Sequence, residues 1–465
     1  MNLSGKKALV VGLGKSGVAV AQFLRRRGAD VTATDSAAAE RLGPVTAGLQ
    51  QAGVVLELGE HRRDTFESAE LIVISPGVPH QLPEIEAAGR QGAEVIGEIE
   101  LAARFIDAPI AAVTGTNGKT TTCSLVGAML SESGIDVFVG GNIGDPLIGY
   151  VDRGKKAAVV VAEISSFQLD TIVHFKPAVA VLLNIADDHL DRYPDFDGYL
   201  ESKARIFENQ QGDDVAVING SDANVQRAAS HCRARRLVYR RDDGRNPPPG
   251  FQGAWIRPEG VEFFLAEDRA ARPSHLLPRS AIGLPGNHNV ENAAAAVLTA
   301  LSLGGAYEAA VAVLKRFSGL PHRLEYVTAV GGVRYFNDSK ATNVDAVVRA
   351  LDGFSEPVVL IMGGRNKGSR FEPLRPAVAA RVRHLVVMGE ARDEIRRALQ
   401  GDLPVTEAGS MNAAVRQAAE LARPGDVVLL APGCASFDMY TSYAERGRDF
   451  RQAVADLQRA AGTAP

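Results

Sequence analysis

Short apolar runs recur along the chain, and nearly every one ends in a polar stretch rich in glycine, asparagine or acid. Runs of this length, bounded by turn residues, read as strands buried on both faces with loops at their carboxyl ends. Residues 7–11, 30–34, 71–75, 157–161, 178–184, 212–219, 333–336, 358–362, 384–388 and 427–430 have this character. Between them the spacing of apolar positions turns helical, as over 18–26 and over 196–209, where Phe196, Tyr199, Ile206 and Phe207 suggest an amphipathic helix. Buried strands alternating with helices predict α/β architecture with open parallel sheets. Residues 232–279 break the rhythm with mixed charges, P-P-P-G at 247–250 and two short β-like runs, and read as a variable β-rich part of the surrounding unit.

Passages near 97–100 and at Pro321 divide the chain into 1–97, 98–319 and 320–465. The first and third segments read as Rossmann-like α/β domains and the second as a P-loop ATPase-like α/β domain. The second contains A-P-I-A-A-V-T-G-T-N-G-K-T-T-T at 108–122, in which an apolar strand, the turn Gly115, Thr116, Asn117, Gly118 and a helix beginning at Lys119 follow one another. Amide groups at a helix N-terminus and a lysine ammonium together bind an anion, and the hydroxyls of Thr120 and Thr121 lie beside them. A lone G-K-T is often an ordinary strand-to-helix turn. Here strand, glycines, lysine and hydroxyls coincide, in a loop two residues shorter than the usual phosphate-loop spacing.

In the first domain, G-L-G-K-S-G places Gly12, Gly14 and Gly17 at the spacing of a dinucleotide-type turn, and Asp35 ends the next strand. Such turns also serve simply to pack a helix on a sheet. S-P-G-V-P at 75–79 is either a ligand loop or plain punctuation. In the second domain Glu163, at a strand tip, suits a magnesium ion or a helix N-terminus equally. His189 sits among three aspartates after a buried strand, where it can be structural or join a metal shell. Lys203 on its helix reads by itself as a solvated charge. Asn289 and Asn292, three apart, can bond a purine edge or cap their helix. In the third domain N-D-S-K-A-T-N at 337–343, G-G-R-N-K-G at 363–368 and A-P-G-C-A-S-F-D at 431–438 are polar clusters at strand ends.

Composition narrows the class. Hydrophobic residues at 46% and charged residues at 23% suit a soluble globular protein, and a net charge of -4 argues against a general nucleic-acid binder. Three scattered cysteines give neither a disulfide framework nor a zinc site. With neither a cleavable leader nor a membrane-length apolar stretch, the expectation is a cytoplasmic protein without a membrane span.

Taken together, G-T-N-G-K-T-T, E-I-S-S-F-Q-L, D-D-H-L-D-R-Y, G-N-H-N-V-E-N and L-P-H-R-L-E stand in the order found in the Mur ligases, and the resemblance covers essentially the whole chain. N-D-S-K-A-T-N and S-S-F-Q-L are similar to the branch of that family that adds D-glutamate. The resemblance implies a monomeric ATP-dependent ligase whose substrates are ATP, UDP-N-acetylmuramoyl-L-alanine and D-glutamate. It implies ATP contacts from 115–121 with Asn289, Asn292, Arg323 and Asp338. It implies two Mg²⁺ ions, one on Thr120 and Glu163, the other on His189 and a Lys203 carbamylated by CO₂. Gly14, Lys15, Ser16, Asp35 and Ser36 would face the uridine diphosphate, and Asn142 and His189 the muramoyl-alanine. Lys340, Thr342, Lys367, Ser436, Phe437 and Tyr443 would surround D-glutamate. Two positions depart from the family pattern: Arg365 or Asn366 stands where relatives often carry aspartate, and Lys15 replaces a smaller or apolar residue. The alternative is another Mur ligase or a folylpolyglutamate-synthase-like ligase with a different amino acid. A nicotinamide-dependent dehydrogenase would rest on G-L-G-K-S-G alone, and a purely regulatory nucleotide binder would leave Glu163, His189 and Lys203 unexplained.

Overall fold

The computed structural model describes residues 1–79, 81–265, 273–399, 401 and 403–462. Three sheets divide the chain. The first carries β1 (Lys7–Val11), β2 (Asp30–Asp35), β3 (Val55–Leu58), β4 (Leu71–Ile74) and β5 (Glu94–Gly97), all parallel, in the order β3-β2-β1-β4-β5. The order reverses beside β1, so the G-L-G-K-S-G turn that follows β1 opens at the sheet's switch point.

The second sheet has nine strands: β6 (Ile110–Thr114), β7 (Val137–Gly141), β8 (Val159–Glu163), β9 (Val179–Leu182), β10 (Val215–Asn219), β11 (Arg235–Arg241), β12 (Gly253–Arg257), β13 (Gly260–Phe264) and β14 (His275–Pro278). β6 lies between β8 and β9, parallel to both, and delivers the phosphate-type turn at its carboxyl end. Residues 232–279 hold four strands where the sequence suggests two short runs. β11 continues the parallel pairing onto β12, and β12, β13 and β14 form an antiparallel meander. Residues 266–272 of that segment lie outside the described residues.

The third sheet comprises β15 (Glu325–Val330), β16 (Val333–Asn337), β17 (Val358–Gly363), β18 (Val382–Met388), β19 (Val405–Glu407) and β20 (Val427–Leu430), in the order β15-β16-β20-β17-β18-β19. It is not wholly parallel: β15 and β16 are an antiparallel hairpin. Its turn is Gly331 and Gly332, both at positive φ, the backbone that a tight two-residue hairpin requires. Fully buried residues of β16, β17 and β20 form the centre of this domain, so the polar loops that follow them converge at one end. Among the described residues no helix is long and apolar enough to cross a membrane.

Candidate active site

The turn after β6 is held from below. Asn184, just beyond β9, accepts from Asn117 N through Oδ1 at 2.8 Å and donates to Asn117 O at 2.9 Å, while its own carbonyl accepts from Thr116 N at 2.9 Å. Gly118 has φ +89°, and a Cβ there would lie 2.4 Å from Asn292 Oδ1, so glycine is needed both for the backbone and for the approach of the 287–302 helix. Helix Lys119–Glu132 starts at once, presenting its N-terminal amides to the cleft. Lys119 Nζ bends back to the carbonyls of Gly115 and Thr116 at 2.7 and 2.9 Å. Burial pushes its pKa down.

Glu163 ends β8 and is buried. Its carboxylate accepts from Thr120 Oγ1 at 2.7 Å and from Asn142 Nδ2 at 2.8 Å. The Gly140, Gly141, Asn142 turn is tied to the same strand end, since Asn142 N donates to Glu163 O at 2.8 Å. From the third domain Arg323 donates to Thr120 Oγ1. Arg323 lies between His322 and Leu324, both non-glycine residues at positive φ, a conformation that costs energy and is concentrated at functional sites.

Lys203 is 1% exposed, which overturns the solvated reading. Its ammonium nitrogen donates to Gly115 O at 3.0 Å and lies 4.7 Å from the centre of the Tyr199 ring one helical turn earlier. Burial first, and the Lys119 charge second, hold its pKa far below that of an ordinary lysine. Tyr199 in turn shares a hydrogen bond with Thr116 Oγ1 at 3.1 Å, linking this helix to the turn.

His189 has φ 56° and packs edge-on to Phe167 with ring centres 4.8 Å apart. Burial pulls its pKa down to about 4, so the imidazole is neutral at physiological pH and its ring nitrogens can act as donors to a metal. Asp188 is the residue that sequence reasoning passed over. It is buried, and accepts from Lys367 Nζ at 2.5 Å and from Asn343 Nδ2 at 3.0 Å. Burial is the largest single influence on its pKa and pushes it up, but the charges of Lys367 and His189 and the hydrogen bonds from Lys367 and Asn343 together bring it down to about 2. Both partners come from the third domain. A second such bridge runs from Asn117 Nδ2 to Asp345 Oδ2 at 2.8 Å and to Asn343 Oδ1 at 3.2 Å.

A cleft between the second and third domains is lined by Gly118, Asn289, Asn292, Arg323, Asp338 and Lys340. Asn289 donates to Pro285 O at 2.7 Å and accepts from Asn292 at 3.1 Å, so the two amides brace the helix start without capping its N–H groups and line this cleft. Burial raises the Asp338 carboxyl to about 7 and lowers Lys340 to about 8. Lys340 lies 4.1 Å from the centre of the Tyr443 ring. Ser436 is buried, and Thr342 is half-buried. Phe437 is 65% exposed and is not gathered into this cluster. Arg365 forms a forked ion pair with Glu390 at 2.9 Å, and Asn366 donates to Glu394 at 2.7 Å, so both residues at this first departure are engaged by neighbouring carboxylates.

In the first domain Asp35 closes the glycine turn, accepting from Leu13 N at 2.7 Å and Ala37 N at 2.8 Å. Gly14, Lys15 and Ser36 are exposed there and Ser16 half-buried. Lys15 crosses to the second domain, donating to Gly144 O at 2.5 Å beside the Asn142 turn. Ser75 of S-P-G-V-P donates to Gly12 O at 2.7 Å, so that loop braces the turn.

Comparison with known proteins adds the following. Residues 6–97 match the Mur ligase MurD-like N-terminal domain, 113–300 the Mur ligase middle domain and 322–434 the Mur ligase glutamate ligase domain. The UDP-N-acetylmuramoylalanine--D-glutamate ligase of Desulfosudis oleivorans is 52% identical over 453 residues, covering 97% of each chain. That of Acidobacterium capsulatum is 46% identical, covering 98% of this chain and 97% of its own. Among solved structures, the UDP-N-acetylmuramate-alanine ligase of Thermotoga maritima superposes with a TM-score of 0.58 at 20% identity, covering 97% of this chain and 99% of its own, a likeness of fold.

Proposed function

Because the chain belongs to the Mur ligase family, we propose that it joins D-glutamate to UDP-N-acetylmuramoyl-L-alanine, using ATP to activate the alanyl carboxylate. Its broader class is that of an ATP-dependent amide-forming ligase of peptidoglycan precursor synthesis. One observation carries the reading: five cations, Lys119, Lys203, Arg323, Lys340 and Lys367, are gathered at one place, where the charges of Lys119, Arg323 and Lys367 add to burial in lowering the pKa of Lys340, and that of Lys119 adds to burial at Lys203. Such a cluster of cations, which outnumber the Glu163 and Asp188 carboxylates among them, favours the entry of a polyanion. A triphosphate, a carboxylate to be phosphorylated and a dicarboxylate amino acid together supply that charge.

The reaction needs negative oxygens to be forced together. A carboxylate oxygen attacks the γ-phosphorus and ADP leaves. The neutral amine of D-glutamate then attacks the acyl phosphate carbon, and the tetrahedral adduct expels phosphate as the amine loses its proton. Lys119, released from the Gly115 and Thr116 carbonyls, holds phosphate oxygens, with the amides of helix Lys119–Glu132 behind it. Arg323, reaching over from the third domain, adds charge only when the domains are closed. Asn289 and Asn292 hold the base and Asp338 the ribose. Lys15, Ser16, Asp35 and Ser36 receive the uridine diphosphate end, and Lys340, Thr342, Lys367, Ser436 and Tyr443 the amino acid.

The residues present fit two magnesium ions. Thr120 and Glu163 already share a hydrogen bond, and His189 is neutral. Among the described residues no group of three or more His, Cys, Asp and Glu forms a self-sufficient metal cage, which suits Mg²⁺ held largely by phosphate and water. Bound there, Mg²⁺ would neutralise phosphate charge. Lys203, buried with its ammonium form disfavoured, more readily supplies the free amine that reacts with CO₂, and the resulting carbamate would be an anionic ligand beside His189.

Phosphate release tests the proposal. With ATP and UDP-N-acetylmuramoyl-L-alanine present, D-glutamate should support release where L-alanine, meso-diaminopimelate and L-glutamate do not. Equal release with another amino acid would overturn the D-glutamate assignment.

A further inference from the structure

Arg446 lies in the first turn of helix Tyr443–Ala460 and is 2% exposed. Its guanidinium makes five hydrogen bonds, all to neutral oxygens. Nε donates to Ser339 Oγ at 3.0 Å. Nη2 donates to Ser339 O at 2.8 Å and Cys434 O at 3.1 Å, and Nη1 to Ala435 O at 3.3 Å and Gly363 O at 3.4 Å. No carboxylate of the described residues pairs with it. Burial lowers its pKa to about 10, which leaves it protonated at neutral pH.

The three acceptor segments are the polar clusters at the ends of β16, β17 and β20. They carry, respectively, Lys340 and Thr342, then Lys367, then Ser436. A guanidinium has its donors in a rigid plane, so it fixes the mutual spacing of the carbonyls it binds, which a flexible ammonium cannot do. The surroundings are shaped for it. Gly364 has φ +133°, and a Cβ there would meet Ala435 O at 2.2 Å and Arg446 Nη1 at 3.1 Å. Ser339 Oγ accepts from Arg446 and donates to Tyr443 O at 2.7 Å, fastening the first segment to the helix that carries the arginine. The Asp438 carboxylate acts on this cation only at a distance, without a hydrogen bond or ion pair, so the guanidinium contributes positive charge at the junction of the three loops.

We propose that Arg446 is the positioning residue of the amino-acid site: it sets the geometry of the three loops that hold the amino acid, and its charge, not paired directly with any carboxylate of the described residues, favours a dicarboxylate there. This rests on the reading of those loops as the D-glutamate site.

The test is steady-state kinetics of the full-length enzyme for Arg446→Lys, which keeps the charge and loses the fork, and Arg446→Gln, which loses the charge. Arg446→Lys should raise KM for D-glutamate about tenfold or more, with KM for ATP and for UDP-N-acetylmuramoyl-L-alanine changed about twofold at most. Arg446→Gln should raise it further. If either variant fails to fold, Ser339→Ala, which removes only the hydroxyl acceptor, should give a smaller rise confined to D-glutamate. Unchanged KM for D-glutamate in a folded variant, or equal rises for all three substrates, would overturn the inference. Failure of the wild-type enzyme to use D-glutamate would instead overturn the underlying reading.

Discussion

Lys119 and Lys203 donate to the same carbonyl oxygen, that of Gly115, at 2.7 and 3.0 Å. Two charged ammonium groups on one acceptor repel, and the more deeply buried Lys203 is the one whose pKa falls furthest. A buried amine whose charged form is disfavoured more readily supplies the nucleophile for CO₂. Lys203→Ala should therefore lower turnover by about two orders of magnitude. Intact-mass measurement of the native protein in bicarbonate should show the added carboxyl. Full activity in the variant would remove Lys203 from the site.

Lys119→Ala removes the side-chain donor to the Thr116 carbonyl, leaves Lys203 alone on that of Gly115 and takes from the cleft the cation proposed to face phosphate. ATP-dependent turnover should fall by about three orders of magnitude while the far-UV circular dichroism stays that of the parent. Near-parental turnover would contradict the assignment of this loop to ATP.

Asp188 and Lys367 join the second and third domains through a buried ion pair at 2.5 Å. Asp188→Asn leaves the Lys367 ammonium half-paired, and breaking such a pair costs about 3–5 kcal/mol. Because the partners lie on different domains, separation of the domains relieves that cost without unfolding either. Small-angle scattering of the unliganded variant should give a larger radius of gyration than the parent, and coincident curves would show that the pair does not hold the domains together.

Glu98 supplies a pH test away from the chemistry. It is 1% exposed, its Oε1 accepts from Ile148 N at 2.7 Å, and its Oε2 has no partner. Burial raises its pKa from 4.5 to about 7. The folded state then holds a proton that the unfolded state has released, so this residue's contribution to stability falls as pH rises from about 4.5 to about 7 and is constant above. The fall corresponds to roughly 3 kcal/mol at most. Glu98→Gln should remove that slope, so its melting temperature should gain on the parent's across this window. A pH-independent difference between the two proteins would refute the raised pKa.

The strand, glycine turn and helix at 110–132, the alternation of buried strands with helices and the acid at the tip of β8 were legible because each is local in the sequence. Other features had a local signal that went unread. Tyr199 and Lys203 are one helical turn apart, which marks a shared inward face. Gly331 and Gly332 between alternating runs announce the hairpin of β15 and β16. In β11 the arginines mask the alternation that buries Leu237 and Tyr239. The Asp188–Lys367 pair and the loops fastened by Arg446 have no local signal at all, since each joins residues brought together only by sheet order and domain closure.

Carboxylate activation by phosphoryl transfer is the central claim, and isotope transfer tests it most directly. UDP-N-acetylmuramoyl-L-alanine labelled with oxygen-18 in its alanyl carboxylate would be turned over with ATP and D-glutamate, and the released phosphate examined by mass spectrometry. Passage through an acyl phosphate leaves a carboxylate oxygen on phosphorus, so labelled phosphate should appear in step with the amide product. Unlabelled phosphate alongside that product would contradict the account.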